Sequence, residues 1–129
     1  MARQSKSSID WSIYLVTDST AAILGDKDIV QVVEQAIQGG VTVVQYRDKH
    51  ANTGDMIKIA SNIHAITQKY NVPLLINDRL DVCQAVGAEG VHIGQDDMDC
   101  RSARNVLGSD AIIGVTASSI QEAQKAIKD

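Results

Sequence analysis

Five times along the chain, a short run of branched apolar residues gives way to a segment whose apolar residues recur at helical spacing. That alternation restricts the fold more than any other feature of the sequence. The runs cover residues 13–16, 41–45, 72–76, 90–93 and 112–115. Between them, Ile29, Val33, Ala36 and Ile37 form one helical stripe, and Met56, Ile59, Ala60, Ile63 and Ile66 form the next. Leu80, Cys83, Ala85 and Val86 make a third, and Ala103, Val106 and Leu107 a fourth. Gly39-Gly40, Gly87 and Gly108 stand where these helices should stop, because glycine accepts the left-handed geometry of a helix end. Thr53 is the expected N-cap of the second helix. Ser119 with Glu122 reads as a capping box opening a last one. Alternating strands and helices with continuously apolar strands predict an α/β protein whose parallel sheet is covered on both faces. Two architectures fit: an open doubly wound sheet, or the first five units of a (β/α)₈ barrel, which as a whole takes about 250 residues. No Pro/Gly/Ser linker and no charge run divides the 129 residues. The expectation is a flexible polar segment over 1–11 and one folded portion over 12–129.

Several function classes are excluded at this level. With 44% hydrophobic and 22% charged residues the chain is neither disordered nor collagenous. Its net charge of −4, with no basic block, leaves no electrostatic footprint for nucleic acid. An aromatic content of 3% leaves no base-stacking platform either. Apolar runs such as 72–76 are far too short to cross a bilayer. The polar start lacks the apolar stretch of a secretory signal. Cys83 and Cys100, without C-x-x-C spacing, read as reduced thiols. These features together predict a cytoplasmic protein with neither nucleic-acid nor membrane partners.

The informative polar residues follow the strands. Side chains alternate along an extended chain, so Gln45, Arg47 and Lys49 share a face. The later strands end in Asn77-Asp78-Arg79, Gly94-Gln95-Asp96-Asp97 and Gly114-Val115-Thr116, and the first in Thr17-Asp18. In either architecture these ends lie on one rim, where α/β proteins bind their ligands. Cations and carboxylates on a shared rim suggest a polyphosphate held with a divalent metal. Asp78 and Asp97 offer the hard oxygens that suit Mg²⁺. Arg47 as a fork and Lys49 as a point charge would neutralise phosphate. A single Asp or Lys after a strand is ordinarily a solvated loop residue or a cap; five strands ending this way tip the balance toward a site. His92 reads as a satisfied interior histidine, His50 and His64 as surface residues, and Asp96 as a rim or capping residue. Neither a dinucleotide fingerprint nor a P-loop is present.

Tyr14 to Asp18, Gln45 to Lys49, Pro73 to Arg79, Gly90 to Asp97 and Gly114 to Thr116 together resemble thiamine-phosphate synthase. The Asn-Asp-Arg and Gly-Gln-Asp-Asp-Met stretches look most like the synthase half of the fungal bifunctional enzyme. The resemblance covers about residues 11–129 and implies a (β/α)₈ barrel. It also implies a transferase joining hydroxymethylpyrimidine diphosphate to thiazole phosphate, with release of diphosphate and use of Mg²⁺. It implies that Gln45, Tyr46, Arg47, Asp48, Lys49, Asn77 and Thr116 hold the pyrimidine diphosphate. Among these, Arg47, Lys49 and Thr116 would act in catalysis, and Asp78 and Asp97 would ligate Mg²⁺. Thr116 stands where the family commonly has Ser. The family's later His-x-Gly-Pro, Thr-x-x-Lys and glycine-rich phosphate loops are absent from these residues. The expectation is therefore a barrel truncated after about five of eight units, completed by a C-terminal part or associating as a homo-oligomer. The alternatives are a catalytically incomplete fragment that only binds pyrimidine diphosphate with Mg²⁺ or associates through open sheet edges, and a relative of the thiazole tautomerases.

Overall fold

In the computed structural model, which describes residues 8–129, each strand joins the sheet beside the one before it. The strands are β1 (Tyr14–Val16), β2 (Val43–Tyr46), β3 (Leu74–Asn77), β4 (Gly90–Ile93) and β5 (Ile112–Val115). All pairs are parallel and the order is β1-β2-β3-β4-β5. A doubly wound sheet reverses its strand order near the middle, whereas successive barrel strands never do. The sequential order decides between the two architectures in favour of barrel-type units.

The helices are α1 (Ala21–Leu24), α2 (Ile29–Gln38), α3 (Thr53–Lys69), α4 (Leu80–Val86), α5 (Cys100–Leu107) and α6 (Ile120–Lys128). Outward-facing Val44, Tyr46, Leu74, Ile76, Val91 and Ile93 pack against Val33, Met56, Ala60, Ile63, Cys83 and Ala103 of α2 to α5 in one core. Full burial of such side chains contributes about 1.5–3 kcal/mol each. These helices therefore cover one face, where both faces had been expected to be covered. The other face carries a small apolar cluster of Ile9, Val43, Leu75 and Ile112, with Tyr14 against it. Above that cluster, toward the carboxyl ends of the strands, the same face turns polar.

Several local expectations need adjustment. Residues 1–7 of the segment expected to be flexible lie outside the described residues. Ile9 within it is buried against the inner cluster, because Val43, Leu75 and Ile112 leave an apolar surface there that needs cover. The N-cap of α3 is Asn52, not Thr53; its side chain accepts from the Asp55 N–H at 2.9 Å. Gly87 takes the left-handed geometry at φ +75°, whereas Gly39 is right-handed and Gly40 supplies the positive φ. Ser119 caps α6 by accepting from the Glu122 N–H at 3.1 Å, and Glu122 reaches back to the N–H of Ser118 rather than of Ser119. No helix among the described residues is long and apolar enough to cross a membrane.

Candidate active site

The polar half of the inner face begins where β2 ends. Gln45 is nearly fully buried, and its Nε2 donates to the Tyr14 hydroxyl at 2.9 Å. One residue beyond the strand, the Arg47 N–H donates to Thr17 Oγ1 at 3.1 Å, and the Thr17 N–H donates to the Gln45 carbonyl at 2.9 Å. These bonds extend the β1–β2 ladder past its regular end and fix the backbone from which Arg47 projects. Arg47 and Lys49 are exposed on the rim.

Lys49 Nζ forms an ion pair with Asp78 Oδ2. Asp78 follows β3 with φ +65°, a left-handed conformation that Asp tolerates better than most side chains. Its N–H donates to the His92 carbonyl at 2.8 Å, so the turn is anchored to β4. Burial raises the Asp78 carboxyl pKa. Hydrogen bonding to Lys49 and Asp97, with the charges of Lys49 and Arg47, outweighs burial and holds it below the ordinary carboxylate value. Asp97 is itself oriented by the Gly94 N–H, which donates to its Oδ2 at 2.8 Å. Two carboxyl groups this close need either a proton between them or a cation facing both. Hard oxygens from two carboxylates, with room for phosphate oxygens, suit Mg²⁺. Among the described residues no group of three or more His, Cys, Asp and Glu is placed to hold a metal, so any ion here would lean on its ligand as well.

Beside this cluster, Tyr14, Val16, Gln45, Arg47, Asn77, His92 and Thr116 line an open cavity of about 350 Å³. A second cavity of about 390 Å³ lies between the loops after β1 and β2 and is lined by Asp18, Arg47 and Lys49, among others. Arg47 lines both. His92 and Thr116 face each other across β4 and β5, with Nε2 and Oγ1 sharing a hydrogen bond of 2.8 Å. Burial pushes the His92 imidazole pKa below its ordinary value against the pull of Asp78 and Asp97, which keeps the ring neutral near pH 7.

Most residues expected at the site converge: Gln45, Arg47, Lys49, Asn77, Asp78, Asp97 and Thr116 all stand on this rim or cavity. Two do not. Tyr46 is fully buried on the opposite face of β2, under α2 and α3, because strand alternation turns it away from Gln45. Its hydroxyl lies near Asp48 but outside hydrogen-bonding geometry, and burial together with the Asp48 charge pushes its pKa up to about 12. Asp48 turns its carboxylate back to the chain, where Oδ1 accepts from the N–H groups of His50 and Ala51 at 2.9 and 3.0 Å. It shapes the loop and does not face the cavity lined by Gln45. Asp18 likewise folds onto its own loop, accepting from the Thr20 N–H at 2.9 Å. Arg79 leaves the site: its guanidinium bonds Asp81 and Thr53, tying α4 to α3. His64, read as a surface residue, is buried, with Nε2 3.1 Å from Glu89 Oε1. Tyr14 was not anticipated as a site residue; its signal was its place on a strand whose neighbour carries Gln45, while Thr17, expected only as part of the rim, fixes the Arg47 backbone.

Comparison with known proteins identifies the family of the chain. The family described as thiamine monophosphate synthase matches residues 13–129. A probable thiamine biosynthetic bifunctional enzyme of Schizosaccharomyces pombe is 53% identical over 96% of this chain, which corresponds to 24% of that protein. A thiamine-phosphate synthase of Ruminiclostridium cellulolyticum is 49% identical over 95% of this chain and 58% of its own length. Among solved structures, the thiamine phosphate pyrophosphorylase from Pyrococcus furiosus superposes with a TM-score of 0.80 at 35% identity, covering 90% of this chain and 55% of that one. The chain thus spans a quarter to somewhat over half the length of the relatives it matches.

Proposed function

The chain belongs to the thiamine monophosphate synthase family, and from that membership we propose that it carries the pyrimidine diphosphate half of a thiamine-phosphate synthase site. In this reading hydroxymethylpyrimidine diphosphate is joined to thiazole phosphate with release of diphosphate. The observation that carries it is the convergence of Lys49, Asp78 and Asp97 beside a cavity lined by Gln45, Arg47, Asn77 and Thr116. Asp78 and Asp97 would hold Mg²⁺, which would supply positive charge against the diphosphate. The rest falls to the chain's own side chains. The amides of Gln45 and Asn77 hold the pyrimidine ring in the inner cavity. Arg47 grips the diphosphate as a fork and Lys49 as a compact charge, while Thr116 donates a hydroxyl proton.

The bond from the pyrimidine methylene carbon to the diphosphate oxygen breaks, and its electron pair leaves with the diphosphate. The thiazole nitrogen supplies the pair for the new carbon–nitrogen bond. Catalysis here is mainly stabilisation of charge on the leaving group, a role that preorganised cations and donors fill without a side-chain nucleophile. Cys83 and Cys100, neither of them in a disulfide among the described residues, fit a reducing, cytoplasmic setting. The test is calorimetric titration of the chain with hydroxymethylpyrimidine diphosphate, with and without Mg²⁺. Affinity should depend on Mg²⁺ and vanish in Asp97→Ala; metal-independent binding, or wild-type affinity in that variant, would refute the assignment.

A further inference from the structure

Thr116 is held from both sides through its backbone. Its N–H donates to the Ile93 carbonyl at 3.0 Å, and its own carbonyl accepts from Gln95 Nε2 at 2.7 Å. Its hydroxyl has a separate partner, His92 Nε2, at 2.8 Å. The His92 ring can occupy that place because Gly114, its register partner on β5, has no side chain. A Cβ at position 114 would stand 2.6 Å from His92 Nδ1. The backbone and the glycine thus both make room for one contact between imidazole and hydroxyl.

A threonine hydroxyl has one proton and two lone pairs. To donate that proton to an anionic oxygen in the cavity, it is best served by a donor placed behind it, on a lone pair. We propose that His92 is a positioning residue for the reaction assigned above: its Nε2–H donates to Thr116 Oγ1 and thereby aims the threonine proton at the diphosphate. The inference rests on that reading of the site, and it gives His92 a role that the metal ligands and the rim cations do not fill. A donor fixed in advance costs no reorganisation when charge builds up on the leaving group, which is where such bonds act most strongly. The neighbouring strand supplies the donor, so the angle of the Thr116 hydroxyl follows the β4–β5 register.

The experiment is binding of inorganic pyrophosphate with Mg²⁺ to the full chain, measured by calorimetry. The variants are His92→Met, His92→Gln, Thr116→Val and the double variant His92→Met/Thr116→Val, with the unfolding midpoint of each recorded. Met fills the ring's space without a donor, whereas Gln returns an N–H at the ε position. His92→Met and Thr116→Val should each weaken binding about tenfold, the scale of one hydrogen bond to a charged group. The double variant should bind no more weakly than either single one, and His92→Gln should stay within about twofold of wild type. A merely structural histidine would give additive losses and no rescue by Gln. Additive losses, or wild-type affinity in His92→Met, overturn the positioning role alone. If His92→Met does not fold, His92→Gln decides: binding as weak as in Thr116→Val overturns the role, and binding near wild type supports it. Failure of the wild type to bind Mg²⁺ and pyrophosphate overturns the diphosphate reading, and the role of His92 with it.

Discussion

Asp78 carries a conflict between backbone and chemistry that two substitutions can separate. It sits at φ +65°, where an ordinary side chain costs about 1 kcal/mol relative to glycine. Its carboxylate pairs with Lys49, but Lys49 is 46% exposed and Asp78 21%, so solvent screening leaves that pair worth at most about 1 kcal/mol. Asp78→Ala keeps the strained backbone and loses the pair and the bond to Asp97, and should destabilise the fold by about 1 kcal/mol. Asp78→Gly loses the same contacts but relieves the strain, so it should stay within about 0.5 kcal/mol of wild type. The two variants should differ by about 1 kcal/mol, or roughly 4 °C in unfolding midpoint for a chain of this size. Thermal unfolding followed by circular dichroism, with and without Mg²⁺ and pyrophosphate, reads both parts. At a ligand concentration of about 100 Kd the wild type should gain about 2.7 kcal/mol, and both variants should gain almost nothing. Equal stability of the Gly and Ala variants would refute the strain argument. A ligand-induced shift surviving in either would refute Asp78 as a metal ligand.

Tyr46→Phe removes a fully buried hydroxyl without a hydrogen-bond partner, so stability near neutral pH should hold or rise by about 1 kcal/mol. Because the folded-state pKa is raised to about 12, the native protein keeps a proton that the unfolded chain sheds near 10. Stability from this group is therefore complete below pH 10 and lost as pH rises toward 12; denaturant melts of the Phe variant should lack that decline, and an identical alkaline profile would count against it. Glu89→Ala should cost about 1–3 kcal/mol in urea unfolding, since it orphans both His64 Nε2 and the Leu74 N–H, which donates to Glu89 Oε2 at 2.9 Å; a loss below about 0.5 kcal/mol would mean that water replaces the carboxylate. Tyr14→Phe takes away the acceptor that holds the Gln45 amide. It should weaken binding of the pyrimidine diphosphate by about 0.5–1.5 kcal/mol while leaving Mg²⁺-dependent pyrophosphate binding unchanged, and equal losses for both ligands in a competition titration would show that the pair does not serve the ring.

What could be read from the sequence was whatever depends on local period. Alternation along β2 put Gln45 and Arg47 on one face, and the structure keeps them there beside the Lys49–Asp78 pair. The same alternation puts Tyr46 on the other face; including it among ligand-binding residues followed the unbroken run of the motif instead of the pleat. What could not be read depends on partners far apart in the chain. His64 lies one position from Ile63 on the buried stripe of α3, and Glu89, in the connection before β4, makes its burial tolerable. Ile9 is an apolar residue in a polar stretch, and its partners come from β2, β3 and β5. Asn52 and Thr53 are both capping residues, and sequence alone does not choose between them. The single turn of α1 is too short to show a period.

The pleat also explains why stability and function can be altered separately in this protein. Outward positions of the central strands β2, β3 and β4 are closed under the helices, so changes at Val44, Leu74, Ile76 or Val91 act on packing. Inward positions are graded along the strand axis: Val43, Leu75 and Ile112 are apolar, and two residues further along their strands stand Gln45, Asn77 and Gly114. The apolar layer with Ile9 closes the lower end of the inner face, which lowers the local dielectric beneath the cavity and strengthens the hydrogen bonds that Gln45 and His92 make above it. Gly90 is where this separation fails. A Cβ there would stand 1.9 Å from the Ile112 carbonyl oxygen, so any side chain at that position would force β4 and β5 apart. That displacement would also move His92 away from Thr116, because both contacts are set by the same strand pairing. Substitutions at the inner face should therefore divide by height along the strand, the lower ones acting on folding and the upper ones on ligand binding, with position 90 acting on both.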